Sequence, residues 1–177
     1  MGLRRAYSSL YYRPMMKSSW RNAPAALVFL GGISISWSPY SSHMYPYTIS
    51  QPSSFRHEMV IAASGQRVDY FFPALLGSFP TNVNISAVHG DGLVDAAQNL
   101  RQRSGRHVHR AGYLRLMGKR RKLTEANFVG LASKWTEDQV TFVARGYTWR
   151  LTASYEHRFR RLRPMMLRML ASFRLKR

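Results

Sequence analysis

The sequence has no cysteine and only eight acidic residues, Glu58, Asp69, Asp91, Asp95, Glu125, Glu137, Asp138 and Glu156, among 177. The first absence excludes a disulfide scaffold, a thiolate zinc site and a cysteine nucleophile. The second argues against an ordinary soluble enzyme, because acid–base catalysis at neutral pH usually draws on carboxylates. No apolar run is long enough to cross a bilayer comfortably. The most apolar stretch, Ala25–Ile33, is about half of the roughly 20 residues a spanning helix needs, and Ser34, Ser36, Ser38 and Pro39 dilute the chain just beyond it.

Positive charge, by contrast, is plentiful. Lys and Arg number 27, giving a formal net charge of +19, and Arg outnumbers Lys 22 to 5. Such a surplus repels itself unless something anionic cancels it. A nucleic-acid backbone is the expected partner, with an anionic membrane surface the lesser alternative. The apolar share of 45% is ordinary, so a core can be built.

Composition divides the chain into three regions. Residues 1–55 form a basic, then apolar, N-terminal extension. It contains no acid and many Ser and Tyr, the composition of a mitochondrial transit peptide; the expected location is the mitochondrial matrix. Residues 38–55, with Pro39, Pro46 and Pro52 among tyrosines, read as irregular extended chain. Residues 56–155 read as the folded domain. Met59–Ala63 and Arg67–Phe72 flank Ser64-Gly65 as a hairpin, and Val83, Ile85 and Ala87 mark a strand by alternation. Leu93, Ala97, Leu100, Ser104, Val108, Ala111 and Leu114 recur at helical spacing. Asn127–Lys134 and Gln139–Arg145 read as strands about a turn at Trp135–Asp138, with another extended piece through Tyr147, Trp149 and Leu151. Residues 156–177 read as a basic amphipathic helix, with Phe159, Leu162, Met166, Met169 and Phe173 on one face. The expected fold class is α+β: small antiparallel sheets with a packed helix, an extended N-terminal arm and the C-terminal helix.

Motifs for catalysis are weak. Gly112–Lys119 looks like a phosphate loop, but it has five residues between its glycines instead of four, and Arg120 stands where Ser or Thr should hold magnesium. His107 and His109 offer two imidazoles, but arginines surround them and disfavour a bound cation. No catalytic residue, metal or cofactor is assigned. The polyanion-binding candidates are Arg101, Arg103, Arg106, Arg110, Arg115, Lys119, Arg120, Arg121 and Lys122, nine cations in 22 residues with no acid among them. Arg158, Arg160, Arg161 and Arg163 extend the set. Such a stripe can follow a phosphate backbone, and guanidinium forks suit phosphate.

The whole profile resembles a mitochondrial ribosomal protein. Phe128-Val129-Gly130-Leu131-Ala132-Ser133, then Val140–Trp149 ending in Gly146-Tyr147-Thr148-Trp149, loosely resembles bacterial-type large-subunit ribosomal protein six over residues 58–150. Leu131, Ala132 and Trp149 depart from that family's Tyr, Arg and His. The resemblance implies a structural constituent of the mitochondrial large ribosomal subunit, acting in translation, with rRNA and neighbouring ribosomal proteins as partners and no enzymatic activity. The alternative is a supernumerary subunit of a mitochondrial inner-membrane complex, its basic helix lying on the membrane surface.

Overall fold

The computed structural model describes residues 35–61, 65–74, 81–90, 107–129 and 133–177. The described chain belongs to one compact unit, Ile35–Arg177. It is dominated by antiparallel strands: β1 (Trp37–Ser41), β2 (Tyr47–Pro52), β3 (Phe55–Ile61), β4 (Arg67–Pro73), β5 (Asn82–His89), β6 (His107–Leu116), β7 (Lys119–Val129), β8 (Lys134–Ala144), β9 (Tyr147–Glu156) and β10 (Arg174–Leu175). A 3-10 segment, His157–Leu162, leads into the helix α1 (Arg163–Ala171).

Seven strands form one sheet in the order β3-β4-β5-β9-β8-β7-β6, and β1-β2-β10 form a small second sheet. The central strand β9 shows why this sequence makes a sheet. Trp149, Leu151, Ala153 and Tyr155 alternate with Thr148, Arg150, Thr152 and Ser154, so one face is apolar and the other polar. Register carries the pattern across: Ile85 pairs with Leu151, Val140 with Leu151, and Phe142 with Trp149.

The small sheet and α1 cover the apolar face. Tyr47 of β2 stacks on Phe173, ring centroids 5.2 Å apart, and Trp149 lies 5.2 Å from Phe173 and 5.9 Å from Tyr47. Met166, Met169 and Leu170, at helical spacing, are fully buried on the same side. Pro164 occupies the first turn of α1, where its missing N–H costs nothing. Two tight turns hold positive φ: Met117-Gly118 between β6 and β7, and Arg145-Gly146 between β8 and β9. Their geometry matches the right-handed twist of the flanking strands.

Several sequence expectations are corrected. Among the described residues the fold is two antiparallel sheets with one short α-helix, not the expected α+β arrangement of small antiparallel sheets with a packed helix. The helical spacing over Val108, Ala111 and Leu114 falls in β6; a bulge between Arg110 and Gly112 shifts the alternation there and imitates a three-residue step. The earlier part of that pattern, Leu93–Ser104, lies outside the described residues, as does the N-terminal arm through residue 34. Residues 38–55 are not irregular: β1 and β2 pair from Trp37↔Pro52 to Ser41↔Thr48. Trp135–Asp138 is not a turn but part of β8, where buried Thr136 and Asp138 make a strand look like a loop. The C-terminal segment is a 3-10 segment, a nine-residue helix and a short strand, not one continuous helix.

Candidate functional site

The hairpin β6–β7 carries six cations, Arg110, Arg115, Lys119, Arg120, Arg121 and Lys122, against one acid, Glu125. Pairing sets Tyr113 opposite Lys122, Arg115 opposite Arg120 and Arg110 opposite Thr124. Directly opposed residues share a face, so Arg110, Tyr113, Arg115, Arg120 and Lys122 point the same way, and all five are exposed. The guanidinium carbons of Arg110 and Arg120 each lie 4.3 Å from the centroid of the Tyr113 ring. Cation–π attraction holds both groups over one half-exposed aromatic surface. Among the described residues no acid pairs with any of these cations.

The other candidate binding residues are dispersed. Arg121 points to the opposite face and lies 5.1 Å over Phe142. Lys119 is exposed at the hairpin turn. Arg158 pairs with Glu156. Arg160 and Arg161 sit on the exposed 3-10 segment. Arg163 belongs to an internal network: its Nε donates to Asp138 Oδ2 at 2.8 Å and its Nη2 to Asp138 Oδ1 at 3.0 Å and Glu125 Oε2 at 3.2 Å. Tyr155 also donates to Asp138 Oδ2. The Asp138 hydrogen bonds hold the Arg163 guanidinium well above its ordinary range, and burial beside Asp138 pushes the Tyr155 hydroxyl up. Arg101, Arg103 and Arg106 lie outside the described residues.

A second buried carboxylate, missed by sequence reasoning as more than a charge offset, joins the two sheets. Asp69 of β4 is 1% exposed. Tyr47 donates to its Oδ2 at 2.5 Å and Ser42 at 3.1 Å, while His57 Nε2 lies 2.8 Å from Oδ1. Tyr40 Oη lies 3.0 Å from the same imidazole nitrogen. Burial alone would raise the Asp69 carboxyl, but hydrogen bonds from His57, Tyr47 and Ser42 together hold it below the usual carboxylate range. Burial and the Asp69 charge push the Tyr40 hydroxyl up to about 12 and Tyr47 higher still. These groups converge on the carboxylate, not on a shared reaction centre. The signal in the sequence was Tyr45-Pro46-Tyr47-Thr48-Ile49, an alternation hidden by its proline.

A cavity of about 210 Å³ opens between the start of β6, the end of β7 and the 3-10 segment, with His107, Asn127, Trp135 and His157 among its walls. Among the described residues no group of three or more His, Asp or Glu could hold a metal ion, and no helix is long and apolar enough to cross a membrane. Met117 and Gly118, near the end of the phosphate-loop-like segment, form the β6–β7 hairpin turn instead of a loop opening a helix.

No protein-family model and no curated protein sequence matches the chain. Solved structures do match its architecture. The solution structure of cyanobacterial PsbP (CyanoP) from Synechocystis sp. PCC 6803 superposes with a TM-score of 0.53 at 15% identity, covering 82% of this chain and 95% of that one. The fold is PsbP-like. A crystal structure from Bacteroides thetaiotaomicron VPI-5482 gives a TM-score of 0.50 at 10% identity, covering 78% of this chain and 48% of that one.

The PsbP-like fold overturns the ribosomal reading, and with it the assignments to rRNA, to ribosomal partners and to translation in the large subunit. Of the segments that resembled ribosomal protein six, the described Phe128, Val129 and Val140–Trp149 fall in β7, β8, β9 and the β8–β9 turn of a single seven-stranded sheet. Among the described candidates, Arg121 and Arg163 turn away from the exposed group, the latter into an internal ion network. The alternative of a mitochondrial inner-membrane subunit with a membrane-lying helix fares no better. α1 buries its apolar side, Met166, Met169 and Leu170, against the protein.

Proposed function

We propose that the chain is a PsbP-like accessory protein, one that docks on a photosynthetic membrane complex and contributes binding instead of turnover. The observation that carries this is the superposition of the two-sheet body on cyanobacterial PsbP over 82% of the chain. Two features support a binding role. The buried carboxylates Asp69 and Asp138 are engaged by Tyr47, Ser42 and His57, and by Arg163 and Tyr155. The exposed cations of β6–β7 have no acidic partner within the described fold, which leaves them to meet one on another molecule.

The test is fractionation of membranes carrying the tagged full-length chain. Docking through exposed charges is screened as the Debye length shrinks to about 3 Å at 1 M salt. The protein should therefore co-migrate with a membrane protein complex at low ionic strength and leave it in roughly 1 M salt. Migration with ribosomes, abolished by ribonuclease, or a free monomer at low salt would overturn the reading.

The cellular address is a separate proposal. The acid-free, Arg- and Ser-containing segment 1–34 supports import into an organelle. Its composition suits a mitochondrial address, but chloroplast transit peptides share it, and the PsbP-like fold favours the latter. Uptake of the radiolabelled chain by isolated mitochondria and chloroplasts, side by side, separates the two; uptake by neither removes the import proposal.

A further inference from the structure

The strand β6 is the outer edge of the seven-stranded sheet and, among the described residues, pairs only with β7. Among the described residues its outward backbone N–H and C=O groups have no strand partner, and such groups can receive another strand. Natural edges of this kind are commonly protected by charge or by a bulge, and β6 has both. The bulge lies between Arg110 and Gly112, however, and beyond it Gly112–Leu116 pairs regularly with Lys119–Leu123. Five residues of regular edge remain, flanked on one face by Arg110, Tyr113, Arg115, Arg120 and Lys122.

We propose that this edge receives an acidic polypeptide segment as an added strand, with carboxylates at alternate positions bound by the Arg110, Arg115, Arg120 and Lys122 side chains. The proposal deepens the docking role and rests on it for its biological setting. Three observations select the occupant. An open strand edge pairs with peptide backbone, which a polynucleotide or a lipid headgroup does not have. Alternate residues of an extended strand repeat about every 6.8 Å on one face, so side chains at every second position meet the cationic face while the intervening ones do not. The two guanidiniums stacked on Tyr113 are already oriented, which lowers the entropy lost when they grip a carboxylate.

The test uses the purified full-length chain and fluorescent ten-residue peptides. One alternates Glu with Thr. A second has the same composition with its five Glu in a block. A third is the alternating peptide N-methylated at every second residue, so that the backbone donors facing β6 are removed while every charge stays. A single-stranded RNA ten-mer is the fourth probe. The alternating peptide should bind most tightly, with N-methylation and the block arrangement each weakening it by about tenfold or more, since each removes the pairing or the register. The R115Q/R120Q variant should lose binding by a similar factor while keeping its thermal transition, because both side chains are exposed. Equal binding of the N-methylated peptide would reduce the surface to a non-specific cation patch and overturn the proposal. So would preferential binding of RNA, or unchanged binding by the variant. Peptide binding without any membrane complex in the fractionation experiment would leave this site standing and remove the proposed setting; the reverse result would remove the site alone.

Discussion

Asp69 is held by Ser42 and Tyr47 of the β1–β2 hairpin and by His57 of β3, with the Tyr40 hydroxyl 3.5 Å away, and the sign of its pH dependence follows from that. A carboxyl whose folded-state value lies below its ordinary value of about 3.9 stabilises the fold at all pH above that value. That contribution is lost as pH falls through the lower, folded-state value. We expect acid titration of the wild-type protein to show a loss of stability below about pH 4, and D69N to lack that part of the decline. At pH 7 the same variant should be less stable by about 2–3 kcal/mol, the worth of charge-assisted hydrogen bonds to a buried group. Denaturant midpoints measured between acid and neutral pH check both expectations. Thr124 presents the opposite case: its hydroxyl is buried, 1% exposed, with no hydrogen-bond partner among the described residues. T124V keeps the shape and removes the unmet polar atom, so we expect a gain of about 1 kcal/mol, read as a raised thermal midpoint. Sequence pattern showed Asp69 as one of eight acids but not its role, because its partners Tyr47, Ser42 and His57 come together only through the packing of one sheet on another.

At the scale of elements, α1 is fastened at its start by Arg163 and along its length by Met166, Met169 and Leu170. Removing the guanidinium strips the fully buried Asp138 carboxylate of its ion pair and leaves the Tyr155 hydroxyl as a donor to it. R163M should cost about 3–5 kcal/mol, the usual penalty for stranding a buried charge. The double variant R163M/D138N should recover much of it, and a midpoint shift in guanidinium chloride decides. Some elements were legible in the sequence. Ser64-Gly65 lies between two apolar runs and announces the β3–β4 hairpin; Val83, Ile85 and Ala87 announce β5; Gly146 followed by Tyr147, Trp149 and Leu151 announces β9. Others were not. β6 carries a bulge that breaks its alternation, and β8 buries polar residues on both faces, so Trp135–Asp138 lacks the apolar signal of a strand. The β1–β2 hairpin is masked by Pro39 and Pro52, which sit opposite Ser50 and Trp37 at the margin of a small sheet. The basic run read as part of a helix and a loop, whereas its described part is the β6–β7 hairpin, and only register separates Arg120 and Lys122 from Arg121.

For the molecule as a whole, part of the +19 surplus stands exposed on the β6–β7 hairpin of the PsbP-like fold. The charge was plain in the sequence, but composition alone does not distinguish a phosphate chain from a carboxylate-bearing protein as what cancels it. Lys119 and Lys122, both exposed on β7, make the contact accessible to chemistry. The decisive experiment is cross-linking of the native, membrane-associated protein with a reagent that joins lysine to carboxylate, followed by mass spectrometry. Lys119 and Lys122 should join to an Asp- or Glu-rich segment of one membrane-complex protein, and the links should disappear in high salt. Links only within the chain itself, or the same lysines found joined to ribosomal proteins, would refute docking through this edge.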